Sequence, residues 1–320
     1  MTWRWLAVAL LLALSPAPAT AQEFPARPIT LVVPLGAGGV MDVISRVLAV
    51  RLTERLGKPI VIENRTGGGT VTGAVQVAKA APDGHTLILS AASHTINGSL
   101  YAKLPYDPIR DFTGVAHIGT VEYVLMVSAA LPVRTVGEFV DYARANPGKL
   151  NYSTAGSGSA THLSMAYFAG LAGIDMVHVP YKATNEAINE VLAGRSHAVI
   201  AANIGALGFV KDARVRMLGV TAAKRSKFLP ELPTIAESGV PGYEFDSWLG
   251  LLGPAGIPVS TLERINAAVG TLLKDPVILD RLAKQGIEPR ALSPGAFNAL
   301  LRADFANMAR VVKASGARVE

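Results

Sequence analysis

Three glycines, Gly36, Gly38 and Gly39, stand between a β-branched run at Ile29–Val33 and a stretch of helical periodicity that begins near Asp42. A glycine-rich turn that delivers a strand into a helix leaves a nest of backbone N–H groups, and the helix start adds partial positive charge. The chemistry this permits is capture of an anion. The first candidate loop therefore comprises Leu35, Gly36, Ala37, Gly38, Gly39 and Asp42. An acidic side chain in the first turn favours the helix and can accept from free N–H groups, so Asp42 is expected to organise the loop, with direct ligand contact as the alternative. The loop is neither G-x-G-x-x-G nor a phosphate loop, because no Lys-Ser or Lys-Thr pair follows the glycines.

A second turn, AGSGSATH, repeats the arrangement after a predicted strand at Leu150–Ser153 and before a predicted helix at Thr161–Leu171. Its candidates are Ser157, Gly158, Ser159 and Thr161. One hydroxyl is expected to be an ordinary N-cap, and the set exceeds what capping needs. His162 is expected to pack internally. Thr70 and Ser93 follow predicted strands, Tyr181 follows another and can wall a cleft, and Lys182 suits a surface charge. Ala202 and the neutral Asn203 end the strand His197–Ala201, where Asn203 can hydrogen-bond a carboxylate. A carboxylate offers about four acceptor sites, so several oriented neutral donors can stand in for an arginine. Hydrogen bonds to a charged group contribute about 1.5–3 kcal/mol each, so three or four support micromolar binding after entropic costs.

Catalytic and metal readings find little in the chain. His85, His94, His117, His162, His178 and His197 show neither H-E-x-x-H nor short paired spacing, and cysteine is absent, so no metal or cofactor is expected. A secreted serine hydrolase is the enzyme alternative, but no segment fits G-x-S-x-G, since Gly156 and Gly158 flank Ser157 too closely. The formal charge of +6 includes Arg4, which leaves 6 − 1 = +5 without the leader. Those charges are spread and not gathered into a stripe, which argues against nucleic acid.

The elements that must position these loops begin after a leader. Met1–Ala21 has a positive charge at Arg4, an apolar stretch from Leu6 to Leu14 and the small-residue end PAPATA, the pattern of a secretory signal cleaved after Ala21. Its apolar run is shorter than the roughly 20 residues of a membrane span. The mature chain is expected in a periplasm, as a monomer. Periodicity predicts strands at Ile29–Val33, Ile60–Glu63 and Thr86–Leu89 with helices at 42–56 and 71–80 between them, an order that gives right-handed crossovers and a parallel sheet. A second such series runs through strands at Tyr123–Ser128, Leu150–Ser153, Met176–Val179, His197–Ala201 and Arg216–Thr221, and the tail from Leu262 is mostly helical. No Pro, Gly and Ser-rich linker divides the chain, as expected where one domain interrupts another. One lobe is expected to comprise residues 22–122 with 246–320 and the other residues 123–245, the chain crossing near Tyr123 and Phe245. Ligands in open α/β sheets lie beyond the carboxyl ends of strands, which would turn both glycine loops toward one cleft.

RPITLVVPLGAGGVMD, LGKPIVIENRTGGG, APDGHTL, LPYDPIRDF, NPGKLNYSTAGSGSATHL, HVPYKA, RSKFLPELPTIAESGVPGYE and GPAGIP occur in that order. Together they closely resemble the solute receptors of tripartite tricarboxylate transporters, the Bug-type periplasmic binding proteins, over nearly the whole mature chain. The resemblance implies a two-lobed α/β Venus-flytrap fold of type II-like character, each lobe a mixed, mostly parallel sheet flanked by helices. It also implies a small carboxylate-bearing ligand, delivered to membrane transporter subunits or, alternatively, sensed together with a membrane kinase. Carried over by motif, the ligand loops are Leu35–Asp42 and Gly156–Thr161. Leu35 stands where the family usually has an aromatic ring, Thr66 replaces a common proline, and Ala183 follows PYK where glycine is usual. With the small Ala201 and Ala202, Leu35 is expected to leave a wider cleft, suited to a bulkier or aromatic carboxylate.

Overall fold

The computed structural model describes residues 24–315, so the leader lies outside the described residues. The first half contains β1 (Ile29–Val33), α1 (Val40–Leu56), β2 (Ile60–Asn64), α2 (Val71–Ala78), β3 (Thr86–Ala91), α3 (Ser93–Leu100), β4 (Phe112–Val121), β5 (Tyr123–Ser128) and α4 (Val136–Ala145). There follow β6 (Asn151–Thr154), α5 (Ala160–Ala172), β7 (Val177–Pro180), α6 (Thr184–Leu192), β8 (Ala198–Ala202), α7 (Asn203–Leu207) and β9 (Val215–Val220). The chain closes with β10 (Ser247–Pro254), α8 (Val259–Leu272), α9 (Pro276–Lys284), β11 (Ile287–Pro289) and α10 (Pro294–Ser315).

These strands form two sheets, one ordered β11-β4-β10-β3-β1-β2 and the other β7-β6-β8-β5-β9. The two share a plan. In each, the second strand lies outside the first, the third lies inside it, and a strand from the far side of a chain crossing is inserted before the fourth. Those inserted strands, β10 and β5, run antiparallel to both neighbours. Strand directions are therefore mostly shared, as expected, yet direct pairings are divided: β1 pairs in parallel with β2 and β3, and β6 with β7 and β8, while the remaining ladders are antiparallel. The parallel ladders are those the helix-separated β-branched runs predict. The long β4 and β10 escape that logic because each finds its partner from a distant part of the chain, and each carries glycines inside the strand. Gly114 and Gly250 leave room for the ring of Phe297 on α10, which a Cβ would approach to 2.8 and 2.5 Å.

The chain leaves one sheet at Val121 and enters the other at Tyr123, so the first crossing is Glu122. On the return path the Phe245 N–H still donates to the Thr221 carbonyl, 3.1 Å away, and β10 begins at Ser247, which makes Asp246 the second crossing. One face of the six-stranded sheet packs Ile44, Leu48, Ile265 and Val269 over Leu31 and Leu251. The opposite face packs Phe297 and Leu301 of α10, and this core continues past the crossings into Phe168, Tyr243 and Phe245. A third cluster, with Ile188, Val191, Val124 and Met126, fills the outer face of the five-stranded sheet.

Candidate ligand-binding site

Both glycine loops follow the carboxyl ends of strands that point toward the crossings. β4 runs in the sense of β1 and β3 and ends beside Glu122; β8 runs in the sense of β6, and the N–H of Asn203 just beyond it donates to the Glu122 carbonyl at 2.9 Å. Leu100, which ends α3, lies so close to Gly158 in the opposite loop that a Cβ there would meet it at 2.9 Å. The two lobes therefore bring these loop regions to one boundary.

The first loop is exposed from Leu35 to Val40 and is braced from below. Gly38, at φ +83°, donates its N–H to Asp42 Oδ2 at 2.9 Å, and Arg46 Nε donates to the same oxygen at 3.0 Å. Asn64 Nδ2 bridges Asp42 Oδ1 and the Leu35 carbonyl, each at 3.0 Å. Asp42 is only 3% exposed, and the hydrogen bond from Arg46, reinforced by Gly38, holds its carboxyl down at about 2. Its oxygens are thus committed to the loop. Gly38 also gives its N–H to this brace, contrary to its expected availability for ligand. Among the described residues, no acceptor takes the N–H groups of Ala37, Val40 or Met41.

The second loop repeats this geometry with different side chains. Gly158, at φ +77°, donates its N–H to His162 Nδ1 at 3.1 Å, again four residues on. The helix-capping residues match in backbone, Gly39 at φ −75°, ψ 168° and Ser159 at φ −67°, ψ 160°. In both loops the N-cap N–H points back to a glycine carbonyl, Gly39 to Gly36 at 3.5 Å and Ser159 to Gly156 at 3.2 Å. The N–H groups left without a partner fall at equivalent places, here Ser157, Ala160 and Thr161. Burial, with stacked His178 at 4.1 Å, brings His162 down to about 4, so it is neutral and Nδ1 can accept.

The hydroxyls divide between brace and surface. Ser159 Oγ donates to the Gly156 carbonyl at 2.7 Å and accepts from the His162 N–H at 3.2 Å, while Thr161 Oγ1 accepts from the Ala155 N–H at 2.8 Å. Ser157 is exposed and its hydroxyl is free among the described residues. In the first lobe, Thr70 is a β-branched residue at φ +85°, a strained conformation of the kind held at working sites, and its Oγ1 accepts from Asn97 Nδ2 at 3.2 Å. Half-buried Ser93 opens α3 with a free hydroxyl among the described residues. Asn97 in α3 and Tyr101 just past its end, whose hydroxyl donates to the Gly68 carbonyl at 2.9 Å, join this neighbourhood without having been singled out from sequence, because α3 lacks a clear periodic signal.

Three expectations are corrected. Tyr181 packs against the outer cluster of its lobe, so its ring does not wall the cleft; its backbone borders the loop, its N–H donating to the Thr154 carbonyl at 2.9 Å. Ala201 is fully buried in that same cluster and leaves no extra cleft volume. Asn203 is also fully buried, facing Gly286 of the other lobe, with both amide atoms unpartnered. Ala202 is half-buried beside it, and Leu35, 43% exposed, is the apolar residue that does stand free at the first loop.

The description of the tripartite tricarboxylate transporter family receptor matches residues 44–317 of the chain. Protein BugT of Bordetella pertussis is 31% identical over 310 residues, covering 95% of this chain and 94% of that protein. The solved structure of R. palustris Rpa4515 with adipate is 36% identical with a TM-score of 0.78, covering 93% of this chain and 100% of the other. That of MatC from Rhodopseudomonas palustris with bound malate is 31% identical with a TM-score of 0.73, covering 90% and 100%. The matched family is one of receptors, and these solved structures share the two-lobed α/β fold described above. The chain therefore belongs to the tripartite tricarboxylate transporter receptor family, the Bug-type periplasmic solute receptors.

Proposed function

We propose that the protein captures a small carboxylate-bearing molecule between its lobes in the periplasm and delivers it to the membrane subunits of a tripartite tricarboxylate-type transporter. The observation that carries this reading is the equivalence of the two loops, which leave N–H groups unpartnered at three matching positions on a braced turn ahead of a helix. Oriented N–H donors at a helix start suit an anion without an arginine. The adipate and malate held by two relatives agree with this chemistry. In this reading Met1–Ala21 is a cleaved export signal, and residues 22–122 with 246–320 close against residues 123–245.

A thermal-shift screen of aliphatic and aromatic carboxylates tests the proposal, since a ligand at about 100 times its Kd adds roughly 2.7 kcal/mol of stability. For the hit, Gly36→Val is the informative variant. A Cβ at Gly36 meets nothing within 4 Å, and this glycine lacks a positive φ, so the fold is left intact while the side chain occupies the ligand's approach. Calorimetry is expected to show loss of binding, and unaltered affinity would remove the loop from the site.

A further inference from the structure

Behind the crossings, on the sheet face that α10 covers, lies a cavity of about 480 Å³. Strand alternation puts Asp246 and Trp248 on one face of the chain entering β10, while register sets Thr120 opposite Trp248 and His117 opposite Gly250. Tyr167 of α5 and Glu244 close the cavity from the other lobe. None of its lining belongs to Leu35–Asp42 or Gly156–Thr161.

Asp246 is the unusual member. Its Oδ1 is buried without a hydrogen-bond partner, and no lysine or arginine among the described residues forms an ion pair with it. Asp304, in the same cavity, is by contrast occupied: it accepts from Trp248 Nε1 at 2.8 Å and from Thr95. Burial, then the carboxylates of Glu122, Glu244 and Glu288, push the Asp246 carboxyl up to about 8. A half-buried carboxylate whose inner oxygen has no partner, set among other carboxylates, is a site that a cation would relieve. Arg290 and Arg310 also line the cavity, but both are exposed, where solvent screens them.

We propose that this cavity is a second binding site, separate from the interlobe cleft, which takes a small organic cation with its ammonium group against the Asp246 carboxylate and its body along Trp248 and Tyr167. Aromatic walls suit such a ligand because the ring faces attract positive charge. Both lobes line the cavity, so its occupant would bridge them beside the second crossing.

Trp248 supplies the reporter, since the other two tryptophans, Trp3 and Trp5, lie in the leader. Cadaverine titrated into the protein at about pH 9, where Asp246 is ionised and the amine still charged, is expected to change Trp248 fluorescence saturably. Pentane-1,5-diol, of the same length and uncharged, is expected to leave it unchanged. Asp246→Asn is expected to weaken cadaverine by about tenfold or more. Ala303→Phe, from an exposed position on α10 into the cavity, is expected to abolish the response without adding a second indole. Gly36→Val, which blocks the cleft, is expected to preserve it, so this test stands apart from the carboxylate reading. Absence of saturation in the native protein, an equal response to the diol, or unchanged affinity in folded Asp246→Asn and Ala303→Phe overturns the proposal.

Discussion

Asp42 and His162 perform one task with different chemistry. Each accepts the N–H of a left-handed glycine four residues earlier and so fixes a turn ahead of a helix. The carboxylate does this because Arg46 keeps it ionised, and the imidazole because burial keeps it neutral. The glycines divide in the same way between backbone need and open space. Gly38→Ala forces a side chain into φ +83° and is expected to lower stability by about 1 kcal/mol. Gly36→Ala meets no such strain and is expected to leave the urea midpoint unchanged, so the difference between the two midpoints checks the assignment. Thr70 carries comparable strain without glycine's freedom, and its bond with Asn97 ties that strain to α3.

α10 is the element that spans the molecule. Phe297 fills the hollow left by Gly114 and Gly250, Asn298 exchanges hydrogen bonds with the Gly114 backbone at 2.9 and 3.1 Å, and Asp304 holds Trp248. Phe297 is fully buried, so Phe297→Ala opens a cavity where strand and helix both depend on the ring. Chemical denaturation is expected to show a loss of about 3–5 kcal/mol. The same contacts help hold β10, through Gly250 against Phe297 and Trp248 against Asp304, alongside its buried Leu249, Leu251 and Leu252.

Across the whole molecule, two chain crossings carry acids, Glu122 and Asp246, where the lobes meet. Burial raises both carboxyl groups. With Asp246 raised from 3.8 to about 8, the folded protein retains a proton that the unfolded chain has lost between those values, so stability falls as pH rises through that window. Asp246→Asn is expected to flatten that limb and raise stability near pH 8 by roughly 1–3 kcal/mol after allowance for partial exposure, as thermal unfolding across pH would record. The two crossings are where a hinge is expected if the lobes close on ligand. Small-angle scattering is expected to show a smaller radius of gyration with saturating carboxylate, and an identical profile would count against hinge closure.

Local chemistry made much of this protein legible in its sequence. β-branched runs separated by helical periodicity fixed the parallel cores of both sheets, and glycines before a helix marked both loops, because such features depend on neighbours close along the chain. The family resemblance likewise followed from ordered local motifs. Tertiary structure alone decided what was long-range. It inserted β10 between β3 and β4, matched Gly114 and Gly250 to Phe297, set Tyr181 against the outer cluster and buried Ala201 within it. It also assigned the Gly38 N–H to Asp42, and left Asp246 without an ion-pair partner among the described residues. Alternation along a strand is visible in sequence, but which face is buried depends on partners the chain meets only after folding.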